Sequence, residues 1–96
     1  MRSVYLVCYD ICDDRRLRKV YKTMRGAGDH IQYSVFRCEL SRKERVELIA
    51  RLERLIDHAE DQVLIVDLGP AEGRAGGCVE AVGKPYAPLL RRAIIV

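Results

Sequence analysis

One carboxylate stands out by its setting. The segment VYLVCYDIC, residues 4–12, is apolar and aromatic apart from Asp10. A charge in such a run costs stability unless it is solvated, paired or put to use. Two chemistries suit it. As the last polar group of a strand, Asp10 can cap the strand end or the helix turn that follows, as Asp13 and Asp14 can. Alternatively, if a second copy of the chain packs alongside, two Asp10 carboxylates converge. Close carboxylates repel, which raises one pKa or recruits a cation. Mg²⁺ fits such a place, because it commonly takes one or two carboxylates and keeps several waters. There it would position a phosphate oxygen and activate water.

The second feature is cationic. Arg15, Arg16, Arg18, Lys19, Lys22 and Arg25 fall within eleven residues that contain no acid. Such a stripe is either an ordinary solvated helix face or a track for a phosphate backbone. The remaining reactive groups offer less. Asp67 sits in an apolar strand and is expected to pair with an arginine rather than join an acidic site. His30 and His58 lack partners at a recognisable spacing, and Ser34 lacks a general base. Lys84 has no glycine-rich phosphate loop around it. Tyr5, Tyr9 and Tyr33 suit packing and interface area; stacking on a nucleobase is open to them but is not indicated. Cys8, Cys12, Cys38 and Cys78 form no CxxC pair.

Elements must hold these groups in place. Residues 3–11 read as a strand with Val4, Leu6, Cys8 and Asp10 on one face and Tyr5, Val7, Tyr9 and Ile11 on the other. Both faces are apolar, so both should be covered. A helix follows, capped by Asp13 or Asp14, with Leu17, Val20, Tyr21 and Met24 as its core stripe. Gly26 or Gly28 ends it. HIQYSVFRCEL, residues 30–40, is β-rich and too long for one flat strand, with Ser34 the expected kink. Ser41 and Glu44 make a capping box. It opens a second helix with Val46, Ile49, Leu52 and Ile56 on one stripe, widened by Leu48 and Leu55, and ending near Asp57–Ala59. QVLIVDL, residues 62–68, is a further two-sided strand; residues 69–77 read as a flexible loop, and the closing AIIV as a short last strand.

This order predicts a single α+β domain over residues 1–96, a ferredoxin-like βαββαβ sandwich with a short extra C-terminal strand. Residues 69–96 are its loop and tail, expected to make dimer or partner contacts. Two helices on one sheet face leave the other face bare, and a second copy packed sheet to sheet is the simplest cover. Composition agrees with a folded chain: 49% of the 96 residues are hydrophobic, and the net charge is only +3. No stretch approaches the apolar length of a membrane span. Asp10 interrupts the N-terminal apolar run and no cleavage site follows, which argues against a signal peptide. The expected setting is cytoplasmic, with reduced cysteines.

Several blocks in order resemble the Cas-two family of CRISPR-associated small proteins: YLVCYDI, RRLRKVYKTM, IQYSVF, VLIVDLG and a short apolar tail. The resemblance spans nearly the whole chain; the strand-ending YD and the QYSVF block are its most specific parts. It implies a ferredoxin-like homodimer in which Asp10 faces its symmetry mate as ligand to Mg²⁺ or another divalent ion such as Mn²⁺. Tyr9 beside it is then part of the catalytic centre. It implies metal-dependent cleavage of single-stranded RNA or double-stranded DNA, and a place at the centre of a spacer-acquisition complex flanked by the Cas-one integrase. Arg16, Arg18 and Lys19 match the basic helix positions, and Ser34 and Phe36 the SVF block. His30 stands where some members carry arginine. Three functions are therefore in play: a metal-dependent nuclease, a non-catalytic DNA-binding scaffold that bridges integrase subunits, and a small-molecule sensor, since fold alone does not choose function.

Overall fold

The strand predicted at the N-terminus forms as β1, Arg2–Asp10, in the computed structural model, which describes residues 1–73 and 77–85. The elements then run α1 (Asp14–Ala27), β2 (Asp29–Gln32), β3 (Val35–Ser41), α2 (Arg42–Leu55) and β4 (Gln62–Pro70). The sheet order is β2-β3-β1-β4, and every pairing is antiparallel. This is the predicted α+β, ferredoxin-like arrangement.

Local chemistry sets the boundaries. Asp13 is the N-cap of α1, its side chain accepting from the Arg16 N–H at 3.0 Å. The helix closes at Gly28, whose N–H donates to the Met24 carbonyl at 3.0 Å. A side chain at Gly28 would collide with β3, since a Cβ there would lie 2.5 Å from the Arg37 carbonyl oxygen. The β-rich run breaks into β2 and β3 at a turn over Tyr33 and Ser34, as the kink predicted. The capping box forms in full: Glu44 N–H donates to Ser41 Oγ at 3.1 Å, and Ser41 N–H donates to Glu44 Oε1 at 2.8 Å.

Two sequence expectations change. On α2 the buried residues are Leu48 and Leu52, whereas Val46 is 55% exposed. The apolar arc is wider than the sheet can cover, and docking selects its 48/52 edge. At the far end, Gly69 and Pro70 belong to β4 rather than to a loop, because the strand continues past a bulge. Tyr5 pairs with Asp67 and Val4 with Gly69, so Leu68 is the extra residue. Gly69 takes φ +96°, a conformation that favours glycine. The predicted AIIV strand lies outside the described residues.

The core lies between the sheet and the helices. Tyr5, Val7, Tyr9, Phe36, Cys38 and Leu40 meet Val20, Met24, Leu48 and Leu52 there. The opposite, helix-free face carries Leu6 and Cys8 beside Val66 and Leu64, their partners on β4. Leu64 and Val66 remain 52% and 44% exposed.

Candidate functional site

Asp10 is the last residue of β1 and is exposed. It pairs with Gln62 and lies on the helix-free side of the sheet, beyond Cys8 and Leu64. Tyr9, one residue earlier, projects to the other side. Its ring is 6% exposed and stacks on Phe36 with centroids 6.2 Å apart. Burial pushes its hydroxyl pKa up. Adjacent strand residues point to opposite faces, so one copy of the chain does not bring Tyr9 and Asp10 together, although the family resemblance implies both in one centre. Among the described residues no group of three or more His, Cys, Asp or Glu side chains could hold a metal ion. Asp10 is a hard oxygen donor, the type Mg²⁺ prefers, but it needs waters or a second carboxylate to complete a site.

Asp67 is remote from it. It lies opposite Tyr5 on the helix side, toward the other end of β1, and its Oδ1 accepts from the Gly69 N–H at 2.8 Å. Among the described residues it makes no ion pair with an arginine, so the expected pairing gives way to a local turn contact.

The basic helix divides. Arg15, Arg18, Lys19, Lys22 and Arg25 are exposed. Arg16 is not available in the same way. Its Nε donates to Asp61 Oδ2 at 2.7 Å and its Nη2 to Oδ1 at 3.2 Å. Asp61 also accepts from the Cys12 N–H at 2.9 Å and the Asp57 N–H at 2.8 Å. The Arg16 guanidinium, with those two backbone donors, holds the Asp61 carboxyl far below the usual carboxylate range. Arg16, predicted among the phosphate-contacting cations, thus also has a structural contact. It ties the start of α1 to the entry of β4 and fixes the loop that follows Asp10. Nothing in the sequence separates Arg16 from its basic neighbours or singles out Asp61, because the contact spans 45 positions.

Between α1 and the β2–β3 turn runs a groove of about 660 Å³. Tyr9 and Tyr21 form its inner wall, Tyr33 its outer edge, and Arg18, Lys22 and Arg25 its rim. Tyr21 is packed edge-on to Phe36 and His30, at 5.8 and 5.2 Å between centroids. Arg25 lies over its ring at 5.7 Å and donates to its hydroxyl at 3.0 Å. Tyr33 is 95% exposed. The two family-block positions flank the groove, which Ser34 lines. Phe36 is fully buried behind these rings, and the Ser34 carbonyl accepts from the Tyr9 N–H at 3.0 Å.

The family profile of CRISPR associated protein Cas2 matches residues 2–73. The chain belongs to the Cas2 family. It is 46% identical over 96 residues to a protein of Geobacter sulfurreducens named CRISPR-associated endoribonuclease Cas2, and the match covers 100% of both chains. It is 47% identical over 92 residues to CRISPR-associated endoribonuclease Cas2 1 of Rhodospirillum rubrum, covering 96% of this chain and 89% of that one. The fold matches the crystal structure of Streptococcus pyogenes Cas2 with a TM-score of 0.70 at 33% identity, over 83% of this chain and 99% of the other. A hypothetical protein from Thermus thermophilus matches with a TM-score of 0.79 at 32% identity, over 92% and 99% of the two chains. Within this Cas2 fold, the structure separates the predicted site residues into two sets: Asp10 on the helix-free face, and the α1 cations with Tyr9 on the helix side. No helix among the described residues is long and apolar enough to cross a membrane.

Proposed function

We propose that the protein acts in CRISPR spacer acquisition, in adaptive antiviral defence, as a homodimer that binds nucleic acid and cleaves single-stranded RNA or double-stranded DNA with Mg²⁺ or Mn²⁺. The observation that carries this reading is the position of Asp10, exposed at the end of the helix-free sheet face that also carries Leu6, Cys8, Leu64 and Val66. Leu64 and Val66 leave that face open to a partner, and Arg37, buried on the same face, has an Nη1 with no acceptor among the described residues. A second copy packed there would cover the apolar strip and bring a second Asp10 toward the first. The two carboxylates, with waters, make a donor set that suits Mg²⁺. A divalent ion held by Asp10 and its symmetry mate would supply charge stabilisation to a phosphodiester. Arg15, Arg18, Lys19, Lys22 and Arg25 hold the backbone by charge, without reading sequence.

A second reading has its own support. Tyr9 faces away from Asp10, and among the described residues no group of three or more His, Cys, Asp or Glu side chains could hold a metal ion, which makes a thin catalytic centre. The same dimer would then serve as a non-catalytic scaffold that holds DNA and bridges subunits of the Cas-one integrase. Asp10→Asn separates the two. Cleavage of RNA or duplex DNA in Mg²⁺ should fall by at least about 100-fold, the order associated with losing one such catalytic group, and chelation should abolish it. Wild-type cleavage by Asp10→Asn would refute the nuclease assignment, and spacer acquisition that survives the substitution would favour the scaffold.

A further inference from the structure

We propose that the groove between α1 and the β2–β3 turn is a nucleobase site: an unpaired base of a single strand lies against Tyr33 and Tyr21, with its flanking phosphates on Arg18, Lys22 and Arg25. This rests on the reading that the chain binds nucleic acid, and narrows it to the strand form that the helix side takes.

Three observations lead there. The first is the mismatch between wall and rim. The wall is aromatic, whereas the rim carries three cations at i, i+4 and i+7 on one helix, and no acidic side chain is among the described lining residues. A ligand that satisfies both must be flat and weakly polar in one part and anionic in the next. A nucleotide has that character, because every base has a π-face and every linkage a phosphate. The volume, about 660 Å³, falls within the range of small-ligand sites.

The second is the preorganisation of the wall. Tyr21 is fixed on three sides by Phe36, His30 and Arg25, and Tyr9 by Phe36. These contacts hold both rings in place, so little order is lost on binding. The third is Tyr33. Its ring is 95% exposed, yet its backbone is anchored, since His30 Nε2 contacts the Tyr33 carbonyl oxygen at 2.7 Å and the Ser34 carbonyl is bonded to β1. An exposed ring on a held backbone, beside an apolar groove, is a stacking platform. Core packing does not explain it, because it packs on nothing in the core. Duplex DNA keeps its bases paired and can reach only the cationic rim, so the site discriminates single from double strands.

The test compares fluorescein-labelled oligodeoxythymidylate, a blunt duplex of equal length, and an abasic strand of equal length, by anisotropy against the full chain. Tyr33→Ala, at an exposed position, should weaken single-strand binding about 5- to 150-fold, the span that corresponds to one base–aromatic stack. It should leave duplex and abasic binding unchanged, and Tyr33→Phe should restore the wild-type affinity. A strand carrying 2-aminopurine should show stacking quench with wild type and not with Tyr33→Ala. If Tyr33→Ala leaves single-strand affinity unchanged, or weakens duplex and abasic binding equally, the inference is overturned and the groove is left to a protein partner. If wild type binds neither strand form, the nucleic-acid reading beneath it fails as well; duplex binding with no Tyr33 effect overturns this inference alone.

Discussion

Gly28 makes a very tight backbone approach to its neighbours, and replacing it with alanine tests how α1 is held. The added Cβ would sit 2.5 Å from the Arg37 carbonyl oxygen, 2.6 Å from Cys38 Sγ and 3.0 Å from Cys38 Cα. Two of those atoms are backbone of β3, an interior strand paired to β1 on one side and β2 on the other, so no side-chain rotation relieves them. Cys38 is itself fully buried. Inserting a methyl into such packing costs about 1–3 kcal/mol. The opposing gain, from a less flexible unfolded chain, is about 0.4–1 kcal/mol. Gly28 has φ −170°, open to any residue, so conformation adds nothing to the cost. The net loss is about 0–2.6 kcal/mol, and at roughly 4–8 °C per kcal/mol for a domain near this size the melting temperature falls by up to about 20 °C. The control is Gly26→Ala, where a Cβ meets nothing within 4 Å. Within a helix it should stabilise by about 0.5–1 kcal/mol. Thermal unfolding followed by far-UV circular dichroism, at one protein concentration, ranks the pair. If Gly28→Ala melts at or above Gly26→Ala, the close approach of α1 to β3 is wrong, and with it the placement of the groove that α1 lines.

Two further outcomes follow from charge. Asp61 has a folded-state pKa depressed chiefly by Arg16, so its contribution is complete above the ordinary carboxylate value of 3.8 and is lost as pH falls below it toward the folded value. Asp61→Asn should therefore destabilise the protein at pH 7 and flatten the acid limb of its stability profile below about pH 4; denaturant midpoints across that range decide it, and an unchanged acid limb would refute the assignment. For the exposed stripe, converting Arg18 and Lys22 to Gln should reduce the slope of log K against log salt for duplex DNA by roughly 0.9 for each phosphate no longer neutralised, or about 1.8 for the pair. Arg16→Gln should leave that slope unchanged at a pH and temperature where it stays folded.

How far the sequence alone reveals these features depends on how local each signal is. The caps at Asp13 and Ser41 are legible because capping needs only a few consecutive residues. β1 and the break at Ser34 are legible from alternation and length. The exposed edge of α2 is not. Its large apolar positions 46, 48, 49, 52 and 55 spread over a wide arc, and only docking on the sheet decides that Leu48 and Leu52 face inward and Val46 outward. Asp61 is illegible for the opposite reason, since its environment is assembled by residues far away in sequence. The groove combines both difficulties. Tyr21 reads as helix core and Tyr33 as strand, and their meeting depends on where the β2–β3 turn folds back against α1.

The divergence of Tyr9 and Asp10 constrains any account in which one nucleic acid engages the whole molecule. The two residues are neighbours in the chain, yet one belongs to the groove on the helix side and the other to the helix-free face. A strand held on Arg18, Lys22 and Arg25 that engages Asp10 of the same chain has a direct route around the C-terminal end of β1. That end is not loose. Cys12 N–H is bonded to Asp61, and Asp61 to Arg16, so the turn from β1 into α1 keeps one shape. Arg16 thus keeps a role in the nuclease reading even though its guanidinium is occupied: it holds the corner that a strand on that route rounds between the cations that grip it and the carboxylate that would act on it. On the scaffold reading the same corner divides a nucleic-acid face from a dimer face, and no strand need cross it. Cleavage by a variant with a loosened corner, such as Asp61→Asn, discriminates. It should fall along with Asp10→Asn if the strand rounds β1, while binding to the α1 cations persists.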